Sequence, residues 1–284
     1  MKVRVISAII MILIGGALIY FGGLALCIAA FLFSCIGLFE FYRAFRNKGV
    51  RPVKILGYLY TLLIPAAYFL KPKTALDVEF NGTNLFPVFQ LLVMLIMLTL
   101  IVVRHRKVSV IDCAVTLMGA YYVPFLFSFF VLLRDGNSMD GLLLLVMAIL
   151  GSVAADTCAL FAGILYGKKK LIPEISPKKT VAGSIGAFVG STVVLTVYGL
   201  ILHYTGAMSN TVSVLHFAIM GLLLGGSSQI GDLSASAIKR YCGIKDFGKL
   251  IPGHGGILDR FDSMLFNVPI VYCYLQILNA VVKQ

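Results

Sequence analysis

Long apolar runs recur along almost the whole chain, separated by short polar segments. A helix needs about 20 mostly apolar residues to cross the roughly 30 Å hydrocarbon core of a bilayer. Nine runs approach or exceed this length: 5–22, 24–41, 54–70, 85–103, 112–133, 141–166, 183–204, 213–233 and 261–282. The pattern predicts an all-α fold, a polytopic integral membrane bundle of about nine transmembrane helices. A signal peptide is the alternative for the first run, although no small-x-small cleavage site follows it.

The basic residues lie mainly on one side of this predicted topology. The N-terminus and the loops after the second, fourth, sixth and eighth spans carry 20 of the 24 Lys and Arg residues. Because loops rich in Lys and Arg stay in the cytoplasm, we expect a multi-pass protein of the cell membrane with a cytoplasmic N-terminus and an external C-terminus. The net charge of +12 is then a topological signal that also suits anionic lipid headgroups, and we expect no nucleic-acid partner.

Polar character is concentrated in the second half of the chain. Residues 1–150 consist mainly of scaffold spans, whereas residues 151–284 carry acidic groups, dense glycines and two long basic loops. We interpret residues 1–284 as a single transmembrane domain whose site lies in the C-terminal half and faces the cytoplasm. The six cysteines form no CxxC pair, so neither a zinc site nor a disulfide framework is expected.

Segment 231–262 holds four carboxylates and five basic groups, and charges near bilayer depth are costly enough to indicate chemistry. Asp232, Ser236 and Lys239 are spaced i, i+4 and i+7, so they share one face of a helix that continues from the eighth span. Asp259 and Asp262 share a face at the start of the ninth span. If the two helices pack together, three carboxylates converge, and such oxygen ligands suit Mg²⁺ with phosphates as its other ligands.

A glycine-rich turn lies between these two groups of acids. Gly253, Gly255 and Gly256 allow backbone conformations that turn N–H groups toward an anion. The cations around the turn are Lys239, Arg240, Lys245, Lys249 and Arg260. Acids for a metal, with amides and cations for phosphate, are what phosphoryl or nucleotidyl transfer requires. His254 is either a turn residue or phosphate donor, which its glycine neighbours favour, or a general base.

A second polar cluster begins inside the sixth span. An Asp within a span is a functional candidate by default, which makes Asp156 a candidate intramembrane polar site. A helix-packing hydrogen bond with Thr157 or another neighbour is the structural alternative. Downstream, Ser176, Lys178, Lys179 and Thr180 lie around Pro177 in what we predict to be a rigid loop. That loop either contacts a nucleotide or forms another patch for lipid headgroups. Helix caps and solvated ion pairs are likewise the structural alternative for single charged residues of segment 231–262.

These motifs resemble the signature of a known family. The run from Ser236 to Asp262, which includes Lys239-Arg240, Lys245-Asp246, the Pro252–Gly256 turn and Asp259-Arg260, is similar to that of the phosphatidate cytidylyltransferases, or CDP-diacylglycerol synthases. Ala155-Asp156-Thr157 and Ser176–Thr180, with Gly183, look like the second block of that family. The N-terminal half resembles it only in span pattern and in Glu40-Phe41-Tyr42.

The resemblance implies transfer of CMP from CTP to phosphatidic acid in phospholipid biosynthesis, with release of pyrophosphate and formation of CDP-diacylglycerol. It implies Mg²⁺, and K⁺ as a second cation. The catalytic residues expected on this basis are Asp232, Lys239, Asp259 and Asp262, of which the three acids would hold the metal. The expected contacts to substrate or nucleotide are Ser176, Lys178, Lys179, Thr180, Ser236, Arg240, Lys245, Asp246, His254, Gly255, Gly256 and Arg260. Ala182 and Ala235 depart from the family, which often has Glu at both positions.

The chemistry of phosphatidic acid sets what the protein must supply. A phosphate monoester is largely dianionic at neutral pH, so phosphatidic acid needs no strong general base to attack the α-phosphorus of CTP. The protein must instead overcome repulsion between two polyanions. The alternative function is a membrane transporter of an anionic metabolite, although the inverted repeats and paired broken spans of many transporters are not evident. The oligomeric state stays open, with a homodimer as one candidate.

Overall fold

The computed structural model describes residues 2–70, 79–80, 83–134, 139–208 and 213–282. Its helices are α1 (Lys2–Phe21), α2 (Gly23–Arg46), α3 (Lys54–Leu59), α4 (Leu63–Leu70), α5 (Leu85–Val103), α6 (Val110–Ala120), α7 (Leu126–Arg134), α8 (Met139–Tyr166), α9 (Val181–Thr205), α10 (Val214–Tyr241), α11 (Leu258–Phe261) and α12 (Met264–Val282). Two short antiparallel sheets join β1 (Glu79–Phe80) to β2 (Thr83–Asn84) and β3 (Lys170–Ile172) to β4 (Ser176–Thr180).

Helices cover most of the described residues in each of the nine predicted apolar runs. Six segments are long and apolar enough to cross a membrane: Gly23–Arg46, Phe86–Val103, Val110–Arg134, Met139–Tyr166, Val181–Thr205 and Val214–Tyr241. The other three predicted spans correspond to the shorter apolar helices Val5–Phe21, Lys54–Leu70 and Met264–Leu278. Many large apolar side chains on these helices are exposed, as lipid-facing residues are. The prediction of a polytopic helical membrane protein is confirmed.

Proline accounts for two interruptions that the apolar pattern does not predict. A 3₁₀ turn over Tyr60–Leu62 separates α3 from α4, and Pro65 follows in the first turn of α4. A π-helical turn over Tyr121–Phe125 joins α6 to α7 and contains Pro124. Proline has no backbone N–H and its ring crowds the preceding turn, so a regular α-helical hydrogen-bond ladder cannot pass through it.

The described chain divides into two compact units. The first comprises Met1–Gly136 and Cys242–Leu258. Inside it, the hydroxyl of the fully buried Tyr42 on α2 donates to the backbone oxygen of Thr116 on α6 over 2.8 Å. A neighbouring cluster of buried residues joins α3, α5 and α6, and consists of Leu56, Tyr60, Val93, Met97, Cys113 and Ala120. Membrane-spanning helices and the loop 242–258 therefore belong to one packed body.

The second unit comprises Asn137–Tyr241 and Asp259–Gln284. Here α10 packs tightly on α9 because a small residue lies at the crossing: a Cβ on Gly221 would lie only 2.5 Å from the Cα of Thr192. The hydroxyl of Ser191 donates to the Gly221 oxygen over 2.7 Å at the same place. Asn267 on α12 donates to Ser152 on α8 over 2.7 Å. Close backbone contact and buried polar bonds thus hold the four long helices of this unit together.

The segment predicted as a rigid loop is a β-hairpin. Strand β4 pairs with β3, so that Ile172 lies opposite Ser176 and Lys170 opposite Thr180, with an irregularity between the two pairs. Pro177 is tolerated because a two-stranded sheet has edge positions that need no N–H donor. The hairpin fixes the direction in which the lysines of β4 project.

We expect Gly221→Ala to destabilise the second unit, because the added methyl group would meet backbone atoms that cannot rotate away. Overpacking of this kind costs about 1–3 kcal/mol. Gly16→Ala on α1 is the matched control, since nothing lies within 4 Å of the added carbon. The measurement is the fraction of detergent-purified protein that remains monodisperse after heating. Equal unfolding temperatures for the two variants would contradict the close packing described here.

Candidate active site

A lysine of the hairpin forms an ion pair with an aspartate of α10. The Nζ atom of Lys179 lies 2.5 Å from Oδ2 of Asp232, and these side chains are 24% and 31% exposed. The next residue, Thr180, is buried and caps α9, because its hydroxyl accepts the N–H of Gly183 over 3.1 Å. The contact of Thr180 with the nucleotide stays a prediction. The backbone of Lys179 is therefore held in place by the strand and the adjacent helix cap, while its ammonium group stays partly accessible.

A second ion pair lies deeper in the same unit. Lys239, two turns beyond Asp232 on α10, donates to Oδ1 of Asp259 over 2.8 Å. The two side chains are only 12% and 3% exposed. Removing either partner would leave a desolvated charge, which costs about 3–5 kcal/mol. The prediction that a helix continues through Asp232, Ser236 and Lys239 is confirmed, because α10 ends only at Tyr241. The spacing of the three residues then places them on one face of α10.

Asp262 lies in the turn between α11 and α12, where its Oδ1 accepts the N–H of Ser263 over 2.7 Å. The turn lies close to α10 because a Cβ on Gly231 would be 2.6 Å from the Asp262 backbone oxygen. Burial and the neighbouring carboxylate of Asp232 raise the pKa of Asp262 to about 7. Asp156, on α8, also lies within electrostatic range of Asp262. Asp262 is therefore influenced by both the acids and the cation of Lys239 in this unit.

Asp156 interacts with charged residues of the second unit and does not form a hydrogen bond with Thr157. Both residues are exposed on the described chain, and no hydrogen bond joins them there. The charges that act on Asp156 are those of Asp232, Lys179 and Arg260. Asp156, Lys179, Asp232 and Arg260 thus belong to one unit, which contains only residues 231–241 and 259–262 of segment 231–262.

The acids and cations of the second unit form one site of mixed charge, which we call the carboxylate–lysine cluster. Its members are Asp156, Lys179, Asp232, Lys239, Asp259, Arg260 and Asp262. Over the described ranges, no three His, Cys, Asp or Glu side chains lie close enough together to hold a metal ion. Asp232 and Asp259 are each engaged with a lysine instead. The assignment of a metal to Asp232, Asp259 and Asp262 stays a prediction.

Among the other predicted contacts of the second unit, Ser176 and Lys178 lie on the hairpin and Arg240 contacts it. Arg240 is exposed and its Nε donates to the Ile175 backbone oxygen at 3.4 Å, between the strands. Lys178 and Arg260 are exposed, whereas Ser176 and Ser236 are partly buried. Lys178 and Arg260 therefore place cations at the surface of the unit.

The glycine-rich turn belongs to the first unit and is held by a buried acid of α2. The carboxylate of Glu40, 3% exposed, accepts the N–H groups of Ile257 and Leu258 over 3.2 and 3.1 Å. A Cβ on Gly248 or Gly256 would lie 2.0 or 2.3 Å from Oε1 of Glu40. The two glycines are thus explained by the approach of the carboxylate. Gly256, predicted as a nucleotide contact, packs against Glu40.

The Pro252–Gly256 turn uses part of its polar capacity internally. The N–H of His254 donates to the Ile251 oxygen over 2.9 Å, and that of Ile251 donates to the Gly255 oxygen over 2.9 Å. Gly253 and Gly255 have φ angles of 79° and 89°, which a side chain would strain. The ring of His254 lies 2.9 Å, Nδ1 to Oγ, from Ser7 on α1, which supports a role in the turn. Lys245 and Asp246 are exposed beside it.

A family model described as "Cytidylyltransferase family" matches residues 2–278. The chain belongs to the cytidylyltransferase family. The chain is 30% identical over 279 residues to the phosphatidate cytidylyltransferase of Bacillus subtilis. The aligned region covers 98% of this chain and 99% of that protein. It is 34% identical over 272 residues to the Staphylococcus haemolyticus protein of the same name, with 95% and 97% covered. A Synechocystis sp. protein of that name is 32% identical over 310 residues, with 99% and 98% covered.

Glu40 holds the glycine-rich turn of this cytidylyltransferase, a role that its sequence pattern did not predict. Its signal was a carboxylate near the end of an apolar run, where an unpaired charge is expensive. Arg43, one turn further along α2, donates to the Phe247 oxygen over 2.7 Å and holds the same segment. The partner could not be deduced from the sequence because some 200 residues separate Glu40 from Ile257.

We expect Glu40→Ala to loosen residues 242–258, because two buried N–H groups would lose their acceptor. An unsatisfied buried donor costs about 1–3 kcal/mol. Amide hydrogen exchange of peptides from this segment, read by mass spectrometry, should accelerate in the variant. Glu174→Gln, in the exposed turn of the hairpin, is the control and should leave exchange unchanged. Slow exchange retained in Glu40→Ala would show that other contacts suffice to hold the segment.

Proposed function

We propose that this cytidylyltransferase transfers the CMP group of CTP to phosphatidic acid, giving CDP-diacylglycerol and pyrophosphate in phospholipid biosynthesis. The observation that carries the proposal is the end-to-end similarity to relatives named phosphatidate cytidylyltransferase. The carboxylate–lysine cluster supplies groups suited to that chemistry. The family match favours this enzyme over a transporter of an anionic metabolite.

In the proposed reaction, a phosphate oxygen of phosphatidic acid attacks the α-phosphorus of CTP. The bond from that phosphorus to the β-phosphate oxygen breaks, and the electron pair leaves with pyrophosphate. Both reactants are polyanions, so the main requirement is neutralisation of charge. Lys179 and Arg260 are accessible enough to bind phosphate oxygens, whereas Lys239 is held in place by Asp259.

The proposal includes Mg²⁺ as cofactor, with Asp232, Asp259 and Asp262 as the residues that would hold it. The donor set fits a hard cation, because it consists of carboxylate oxygens without His or Cys. The carboxylates of Asp232 and Asp156 lie within electrostatic range of Asp262, and a bound cation would offset repulsion among these acids. When bound, Mg²⁺ would supply charge neutralisation for phosphate oxygens. K⁺ as a second cation rests on the family resemblance alone.

The setting of the proposed reaction is the cytoplasmic face of the cell membrane. Support comes from the distribution of Lys and Arg, which predicts a cytoplasmic N-terminus and an external C-terminus. The apolar helices supply the bilayer setting in which phosphatidic acid is found. CTP would then come from the same side as the basic loops.

The test is pyrophosphate release by detergent-purified protein given phosphatidic acid, Mg²⁺ and each nucleoside triphosphate in turn. We expect release with CTP and a loss of about 100-fold or more in Asp232→Asn, as when a group that stabilises developing charge is removed. Asp232 suits this test because it is partly exposed, so the variant should fold. Glu174→Gln should retain full activity.

The choice of aspartate keeps the test interpretable. Asp259→Asn would leave Lys239 buried beside a neutral partner, and a loss of activity could then reflect unfolding. Asp259→Asn is therefore assayed only after its unfolding temperature has been compared with wild type. Turnover near the wild-type rate in folded Asp232→Asn would refute the assignment of this cluster to the reaction. If folded wild-type protein released no pyrophosphate with any of the nucleotides, the proposed activity would be refuted.

A further inference from the structure

The loop between α2 and α3 forms a cavity of about 410 Å³ that the proposed reaction does not use. Its lining residues are Arg46, Gly49, Val50, Arg51, Pro52 and Lys54. Three of the six are cations, and they converge on one concave surface within nine residues of chain. The cavity lies within the first compact unit.

The backbone of this loop is fixed by polar groups of α6. The Arg51 N–H donates to Oδ1 of Asp112 over 2.5 Å, and the Val53 N–H donates to the Thr116 hydroxyl over 2.8 Å. Asp112 is itself held by a capping box with Ser109. Because the bonds to the loop reach its backbone, its basic side chains can bind a ligand without giving up these contacts. Hydrogen bonds to α6 therefore fix the shape of the cavity before a ligand binds.

Charge in and around the cavity favours an anion. Asp112 is the carboxylate that offsets the three cations, and it is buried with its oxygens already bonded to Arg51 and Ser109. Within the described chain, neither Arg46 nor Lys54 forms an ion pair. Guanidinium groups bind phosphate oxygens through paired hydrogen bonds, and an ammonium group adds a point charge. A phosphate group meets these requirements.

The surroundings indicate how that phosphate is presented. The loop connects two predicted spans, so it lies at the level of the lipid headgroups. Directly after Lys54, α3 and the following 3₁₀ turn expose Ile55, Leu59 and Leu62 at 77%, 39% and 54%. Cations at the membrane surface next to an exposed apolar helix match the polar and apolar parts of one phospholipid molecule.

We propose that this cavity binds the phosphate group of an anionic phospholipid drawn from the surrounding bilayer. The proposal does not depend on the transferase reaction, since a phospholipid that cannot accept CMP would also bind. Free inorganic phosphate shares the same chemistry, and the experiment separates the two sources.

The full-length protein in detergent is mixed with phosphatidylglycerol or phosphatidylcholine, and retained lipids are counted by native mass spectrometry. Phosphatidylglycerol is anionic and its phosphate is a diester, so it reports binding without turnover. We expect wild type to retain one phosphatidylglycerol in preference to phosphatidylcholine. The triple variant Arg46→Gln, Arg51→Gln and Lys54→Gln should lose this lipid.

The matched control is Arg104→Gln, Arg106→Gln and Lys107→Gln, which removes the same number of cations from the exposed turn after α5. It should retain the lipid. Equal loss in both triple variants, or equal retention of both lipids, would overturn the proposal, because net charge or general lipid adhesion would then explain binding. Arg46→Gln and Lys54→Gln are also measured singly, in case the triple variant does not fold.

A second arm replaces the lipid with millimolar inorganic phosphate and follows the unfolding temperature. An unfolding temperature unchanged by phosphate, together with retained phosphatidylglycerol, supports the phospholipid. A phosphate-dependent rise in wild type that is absent from the triple variant, without lipid retention, would overturn the lipid assignment in favour of free phosphate.

Discussion

The two hydrogen bonds that Glu40 accepts show the constraint on which the rest of the structure depends: a charge among apolar side chains must have a partner. Glu40 is 3% exposed on a helix apolar enough to cross a membrane. Without donors, a buried carboxylate costs several kcal/mol or takes up a proton. Its donors are the N–H groups of Ile257 and Leu258, so the fold of α2 and that of segment 242–258 stabilise each other.

The same constraint divides the ion pairs of the second unit into two kinds. Lys239 and Asp259 are almost completely desolvated, and their ion pair holds both side chains in one position. Lys179 and Asp232 are partly exposed, and water lowers the cost of separating them. In the proposed reaction, phosphate oxygens can therefore compete for Lys179 while Lys239 keeps its place. A fixed pair next to an exchangeable pair suits a site that must bind and release polyanions.

Hydropathy predicted the helices because it reports which solvent a segment prefers, and that preference is local. The breaks at Tyr60–Leu62 and Tyr121–Phe125 were missed although Pro65 and Pro124 mark them. Strand β4 was predicted as a loop because its pairing with β3 is a tertiary choice that short polar segments do not encode clearly. In the site, helical spacing placed Asp232 and Lys239 on one face, but their separate partners depend on how neighbouring elements pack.

Membrane topology explains how many basic residues the loops carry, but it does not explain how those residues are arranged. The positive-inside rule needs only a number of Lys and Arg residues on one side, and it is indifferent to their arrangement. Arg104, Arg106 and Lys107 satisfy it from an exposed turn. The loop after α2 does more, because Asp112 and Thr116 hold its backbone so that three cations line one cavity. Converging like charges repel each other, so an arrangement that is built at this cost is better explained by an anion that binds there than by topology.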